Sequence, residues 1–291
     1  MPRLIKGCEA GEGSDPRGIG GDYQAEPEAT IIRKLGNLSR STGKKESPKR
    51  NTGLARKKPK WQKPYYKMSI DEAEVKLGVT LTPIGVPINK MIRERSVLLQ
   101  KDTVLEIKNK VYEGLVNYLN VAGYPTEACK DFNTLNINDI VAFTIYPILA
   151  LFKRKTSRRL HLSREKEIST MGPYTIAMED FVVCECISVG KKNYVAMVDV
   201  KKVSLGEARK QCFLAMKDMR DSNGGGIVYG FITNGDSWRM ISFNGEFEIS
   251  EKIELIFDSM AQDKNRWMKD YSILIDCLNV ALSEGARDLM S

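Results

Sequence analysis

Asp180, Asp199 and Lys201 are the residues of this 291-residue chain whose types and spacing could do chemistry. Asp180 opens the apolar run Phe181-Val182-Val183-Cys184, and Asp199-Val200-Lys201 closes a second run that begins at Tyr194. Both runs read as strands, with Gly190-Lys191-Lys192-Asn193 as the turn between them. Successive strand side chains alternate in direction, so Asp199 and Lys201 point to one side of the sheet and Val200 to the other. Two carboxylates and an ammonium group at strand ends make a candidate metal and general-base site. The plain alternative is a set of solvated or salt-bridged strand-end charges.

The elements around this stretch must position it. Upstream, Asn138-Asp139 reads as the cap of a helix running to about Lys155, with Pro147 as a kink. Arg159 to Ile168 alternates as a strand, although a short helix fits almost as well. Downstream, Leu205, Ala208, Cys212, Ala215, Met216 and Met219 recur at helical spacing and are expected to pack on the sheet. The glycine run at 224–226 enters a strand, Ile227 to Thr233, and not a helix, so it is read as a loop and not as a phosphate cradle. Asn234-Gly235-Asp236-Ser237 and Asn244-Gly245 are hairpin turns toward Trp238–Phe243 and Phe247–Ile249. The segment from Glu251 to about Ser283 reads as helical, with Ile253, Ile256, Phe257, Met260, Tyr271, Leu274, Ile275, Leu278 and Leu282 buried.

Between 68 and 134 the pattern is mostly helical. Ser69-Ile70-Asp71-Glu72 has the form of a helix start, and Val97, Leu98, Val104, Leu105, Ile107, Val111, Leu115, Val116 and Leu119 favour one face of a helix that Gly123 ends. Core packing accounts for this region, which carries no interpretable motif. Residues 1–67 are rich in Gly, Ser, Pro, Lys and Arg, too poor in apolar side chains to offset the entropy of ordering, and are read as disordered.

Composition excludes several classes. With 42% apolar residues the chain can build a sizeable core. Its longest apolar run, Ile140 to Phe152, is broken by Thr144, Tyr146 and Pro147, so no membrane span is expected. The start has no apolar signal region, and secretion by the usual route is not expected. The 6 cysteines form no CxxC pair, which argues for buried thiols in a reducing compartment over zinc. His161 is the only histidine, which excludes mechanisms that need two. The net charge of +8 is unevenly placed: Arg33 to Lys67 holds 13 Lys or Arg against Glu46 alone, so that segment carries +12 and the remainder −4. Its basic clusters, including Lys57 and Lys58, suit nuclear import or a phosphate-binding arm, and the alternative is a solvated tail with no specific reader. Lys153, Arg154, Arg158 and Arg159, at the end of the helix before the first strand, are further candidates for nucleic-acid phosphates, or simply a favourable helix C-terminus.

The order helix, strand, strand, strand with Asp-x-Lys, helix, strand resembles the PD-(D/E)XK nuclease superfamily. Asp180 matches its first position, with Glu179 in place of the usual proline, and Asp199-Val200-Lys201 matches the second. Gln211 on the following helix is similar to a glutamine that members often carry. Tyr229-Gly230 through Thr233-Asn234-Gly235-Asp236-Ser237-Trp238 resembles a hairpin of the N-terminal nuclease domains of type I restriction subunits and of crinkler-type effectors. The segment from Ile140 to Tyr271 is also similar to an expanded family of uncharacterised fungal proteins. The resemblance implies an α/β fold: a restriction-endonuclease-like core over 135–250 with a central mixed β-sheet flanked by helices. An N-terminal helical region would precede that core at 68–134, and C-terminal helices over 251–291 would pack on it.

It also implies Mg²⁺ (or Mn²⁺) held by Asp180, Asp199 and the carbonyl of Val200. Lys201 and Gln211 would assist the hydrolysis of phosphodiester bonds, in DNA rather than RNA. An acidic residue on the first helix often helps in the family, for which Asp139, Glu165 and Glu167 are the candidates. Hard carboxylate oxygens suit Mg²⁺, which keeps several waters and takes few protein ligands. A member that kept the sheet and lost the reaction would instead be a nucleic-acid-binding or effector module, and the helical region at 68–134 could serve as an adaptor surface.

Overall fold

The computed structural model describes residues 65–82, 85–125, 133–169, 176–201 and 205–286. The tail expected to be disordered therefore lies outside the described residues as far as position 64, Lys57 and Lys58 included. Its last residues do not: Tyr65–Lys67 form a 3-10 turn, and Tyr65 is buried. The helices are α1 (Ile70–Leu77), α2 (Ile88–Ile92), α3 (Lys101–Ala122), α4 (Thr134–Lys155), α5 (Leu205–Asn223), the single turn α6 (Lys264–Arg266) and α7 (Ile273–Glu284). The strands are β1 (Leu160–Ser169), β2 (Ile176–Ser188), β3 (Lys191–Val200), β4 (Val228–Thr233), β5 (Ser237–Phe243), β6 (Phe247–Ile249) and β7 (Ile253–Glu254).

The strands form one open sheet in the order β1-β2-β3-β4-β5-β6, with β7 also pairing β5. Only β3 and β4 run parallel; the other pairs are antiparallel. A parallel pair needs a long crossover, and α5 is that crossover. The expected central mixed sheet flanked by helices is therefore present. Strand residues alternate between two cores: Phe181, Val183, Val198 and Val200 face α3, α4 and α7, while Val182, Cys184 and Met197 face α5. Central strands covered on both faces read as continuous apolar runs.

Local chemistry sets the helix ends. The Ser69 side chain accepts from Glu72 N while Glu72 accepts from Ser69 N, a capping box at the helix start read in the sequence. α4 starts earlier than the Asn138-Asp139 cap expected: Asn133 is its cap, its side chain accepting from Leu135 N at 2.8 Å while Asn136 accepts from Asn133 N at 2.9 Å. Asn in place of the usual Glu or Gln hid this box. Pro147 lies within the continuous helix. By length and composition α4 could cross a membrane, but 56% of its most apolar window is buried inside the fold. α3 begins at Lys101, so Val97 and Leu98 precede it and are exposed; within it Leu105 is also exposed, while Val104, Ile107, Val111, Leu115 and Leu119 are buried as expected.

The expected helix from Glu251 onward is corrected. Ile253 and Glu254 pair with β5, a 3-10 turn and a π-helical turn follow, and the regular helix begins only at Ile273. Ile256 is exposed as a result.

The Thr-Asn-Gly-x-x-Trp hairpin has a physical account. Gly235 N donates to Thr233 Oγ1 at 2.9 Å, Ser237 N to Asn234 Oδ1 at 3.1 Å and Trp238 Nε1 to Gly235 O at 3.0 Å. Gly235 has φ of 100°, a left-handed value, and a Cβ there would lie 3.3 Å from Ile137 Cγ2 on α4. Gly230 lets α5 come close to β4: a Cβ would lie 2.5 Å from Met216 Sδ and 2.6 Å from Cys212 Sγ. Gly230→Ala is therefore expected to lower unfolding stability by about 1–3 kcal/mol, read as a lower urea midpoint at unchanged slope. In Gly230→Ala/Met216→Ala the combined loss should fall short of the sum of the single losses, because the clash is shared.

Candidate active site

The antiparallel register of β2 and β3 brings the two aspartates together. Phe181 pairs with Val198, and one step further the register sets Asp180 opposite Asp199 on the face toward α5. Asp180 Oδ2 accepts from Val200 N at 2.8 Å, so the first carboxylate is pinned to the end of the second strand. Lys201 Nζ donates to Asp199 Oδ1 at 2.7 Å, in keeping with the shared side expected from strand alternation. Lys201 N donates to Thr233 O at 2.9 Å, which ties the triplet to the Thr-Asn-Gly hairpin.

Asp199 is 0% exposed, whereas the Lys201 side chain is 30% exposed. Among the described residues Asp199 Oδ2 has no hydrogen-bond partner. Burial pushes the Asp199 carboxyl up to about 6; the Lys201 ammonium opposes that rise, and the charges of Asp180 and Glu207 add to it. Desolvation outweighs the single ion pair, as it commonly does for a buried carboxylate.

Glu207, in the first turn of α5, was not singled out in the sequence. It accepts from Lys210 Nζ at 2.7 Å and from Gln211 Nε2 at 3.1 Å. Burial pushes its carboxyl up, but the bonds from Lys210 and Gln211 and the charges of Lys210 and Lys201 outweigh that and leave it below its ordinary value. The signal available was its place four residues before Gln211, on the same helix face. The structure thus places Gln211 as the partner of Glu207.

Other expected residues lie elsewhere. Asp139 faces Tyr118 of α3, whose phenol is raised by burial first and then by Asp139, with the Asn136 hydrogen bond opposing. Glu165 has its backbone opposite Asp180, between the pairs Arg164↔Phe181 and Lys166↔Glu179, and Glu167 pairs with Met178 further out. The basic group sits at the other end of the sheet. Leu160 pairs with Glu185 and Glu185 with Asn193, six residues before Asp199, which is ~20 Å along the strand. Lys153, Arg154 and Arg159 are exposed there.

Arg158 is corrected as a phosphate ligand. It is 9% exposed, its Nε and Nη2 bond Glu185, and its remaining donors bond the carbonyls of Leu282, Ser283 and Gly285 at the end of α7. It closes that helix terminus and pairs a buried carboxylate, and has no donor left for substrate.

Among the described residues no group of three or more His, Cys, Asp or Glu side chains is gathered for a metal ion. A two-carboxylate set still fits Mg²⁺, and the unsatisfied buried oxygen of Asp199 is the kind of donor a cation would engage. A scan against protein-family models and a search of curated proteins found no match to this chain.

Asp199 makes stability depend on pH in a defined direction. Its folded value of about 6 lies above the ordinary carboxylate value of 3.8, so its contribution is full below pH ~4 and lost as pH rises through ~6. Asp199→Asn cannot ionise. In a chelating buffer it should therefore be more stable than the wild type at pH 8, by on the order of 2 kcal/mol. That advantage should disappear by pH 4, as read from thermal unfolding at both pH values.

Proposed function

We propose that this chain is a Mg²⁺- or Mn²⁺-dependent nuclease that hydrolyses phosphodiester bonds, in DNA rather than RNA. The observation that carries the reading is the fully buried Asp199 with one carboxylate oxygen unsatisfied, set opposite Asp180 and beside Lys201. A protein gains nothing in stability from such an oxygen, since leaving a buried acceptor unpaired costs about 1–3 kcal/mol.

Asp180 and Asp199 would hold the cation, with the Val200 carbonyl as a further ligand. When bound, it would polarise the phosphate and lower the proton affinity of a water. Lys201, partly exposed and two residues past the buried acid, would contact a phosphoryl oxygen and orient or deprotonate the attacking water. Gln211 donates to Glu207, whose negative charge acts on both Lys201 and Asp199. The basic clusters between 33 and 67 would add sequence-independent attraction to phosphates and direct the protein to the nucleus.

The rival reading is a nuclease-like module that binds without cutting. It draws on the Lys201–Asp199 ion pair, which closes the pair off in this state. Plasmid cleavage with Mg²⁺ separates the two. The nuclease reading expects metal-dependent nicking by the wild type and a loss of at least about 100-fold in both Asp199→Ala and Lys201→Ala, with folding kept. Cleavage that persists in both variants removes this site from the reaction. No cleavage by the wild type, together with binding that weakens steeply with salt, favours the binding module.

A further inference from the structure

Where the basic segment joins the fold, one aromatic ring is held out to solvent. Tyr65 is 2% exposed and Met68 9%, both in the core under α5, whereas Tyr66 between them is 63% exposed. The turn Tyr65–Lys67 thus has a buried anchor on each side and presents the Tyr66 ring outward. Lys67 Nζ lies 5.6 Å from the centroid of that ring.

More positive charge surrounds the turn. Lys76 Nζ lies 4.7 Å from the Tyr65 ring. Burial first, and then the Lys217 charge, hold Lys76 below its ordinary value, with Asp221 opposing. Lys217 is itself paired with Asp221 at 3.1 Å.

The turn is also fixed to the helix that carries Glu207 and Gln211. Lys210 is 4% exposed and donates to Met68 O at 2.6 Å and to Glu207 at 2.7 Å. Arg209 Nη1 donates to Leu81 O at 3.1 Å. Two hydrogen bonds therefore connect the backbone of the turn to a carboxylate whose charge acts on Asp199.

We propose that Tyr66 and Lys67 are a binding site for single-stranded nucleic acid, with a base stacked on the Tyr66 ring and a phosphate against Lys67. The proposal rests on the reading of this chain as a nucleic-acid protein, and it adds the strandedness of the substrate and the residues that read it. An exposed aromatic ring beside an ammonium group is what sequence-tolerant single-strand binding uses. A duplex keeps its base faces covered and offers the ring nothing. Lys67 is also the last residue of the segment that carries +12.

Fluorescence anisotropy with labelled oligodeoxythymidylate and the full chain in EDTA, where nothing is cut, tests this. Tyr66→Ala should weaken single-strand binding about ten-fold and leave a duplex of equal length within about two-fold, while Tyr66→Phe binds as the wild type does. Lys67→Ala should lower the salt slope by about one phosphate contact, and Tyr66→Ala should leave that slope unchanged. Unchanged single-strand affinity in Tyr66→Ala overturns the proposal, and so does an equal loss on duplex. Because the readout is binding without metal, its failure leaves the cleavage reading standing, and absence of cleavage by the wild type leaves this site standing.

Discussion

The candidate active site depends on one electrostatic compromise: a carboxylate taken wholly out of water at the end of a central strand, with one ammonium to balance it. Asp199 is covered on its own face by α5 and beneath by the sheet, so its ionisation is opposed by desolvation and helped only by Lys201. A fold optimised for stability alone would place an apolar residue there. Keeping the acid, with Asp180 across the strand pair and Glu207 on α5 both acting on it, raises the cost of a charge that only Lys201 opposes. That is an arrangement that a divalent cation would relieve.

The surrounding elements hold this compromise in place. The β2–β3 register sets Asp180 against Asp199, and the Val200 N–H fixes its oxygen. The β3–α5–β4 crossover puts Glu207 and Gln211 over the same strand end, and Gly230 lets α5 lie close enough for its Met and Cys side chains to seal the sheet. The Thr233 carbonyl receives Lys201 N, so the hairpin after β4 supports the backbone of the triplet. At the opposite end, Arg158 and Glu185 tie α7 to β2.

Much of this was legible because it is local. Short apolar runs gave β2 and β3, and strand alternation gave the common side of Asp199 and Lys201. Helical spacing gave α3 and α5, and Ser69-x-x-Glu72 gave the start of α1. What was not legible depended on contacts distant in sequence. Ile253 is a strand residue because Trp238 pairs with it, and no local pattern could tell that from a helix. Arg158 looked like one more cation in a basic run until the α7 carbonyls and Glu185 used up its donors. Glu207 reads in sequence as an ordinary first-turn acid, and only its reach toward Lys201 and Asp199 distinguishes it. Tyr65 and Tyr66 are neighbours of one residue type with opposite burial, which no composition can reveal.

Calorimetric titration of the full chain with Mg²⁺, alone and after Asp199→Asn, tests the central claim most directly. The account predicts a saturable binding heat for the wild type that is lost in Asp199→Asn, because the substitution removes the buried negative charge and leaves the fold intact. Equal Mg²⁺ binding by both proteins, or none by the wild type, would contradict it.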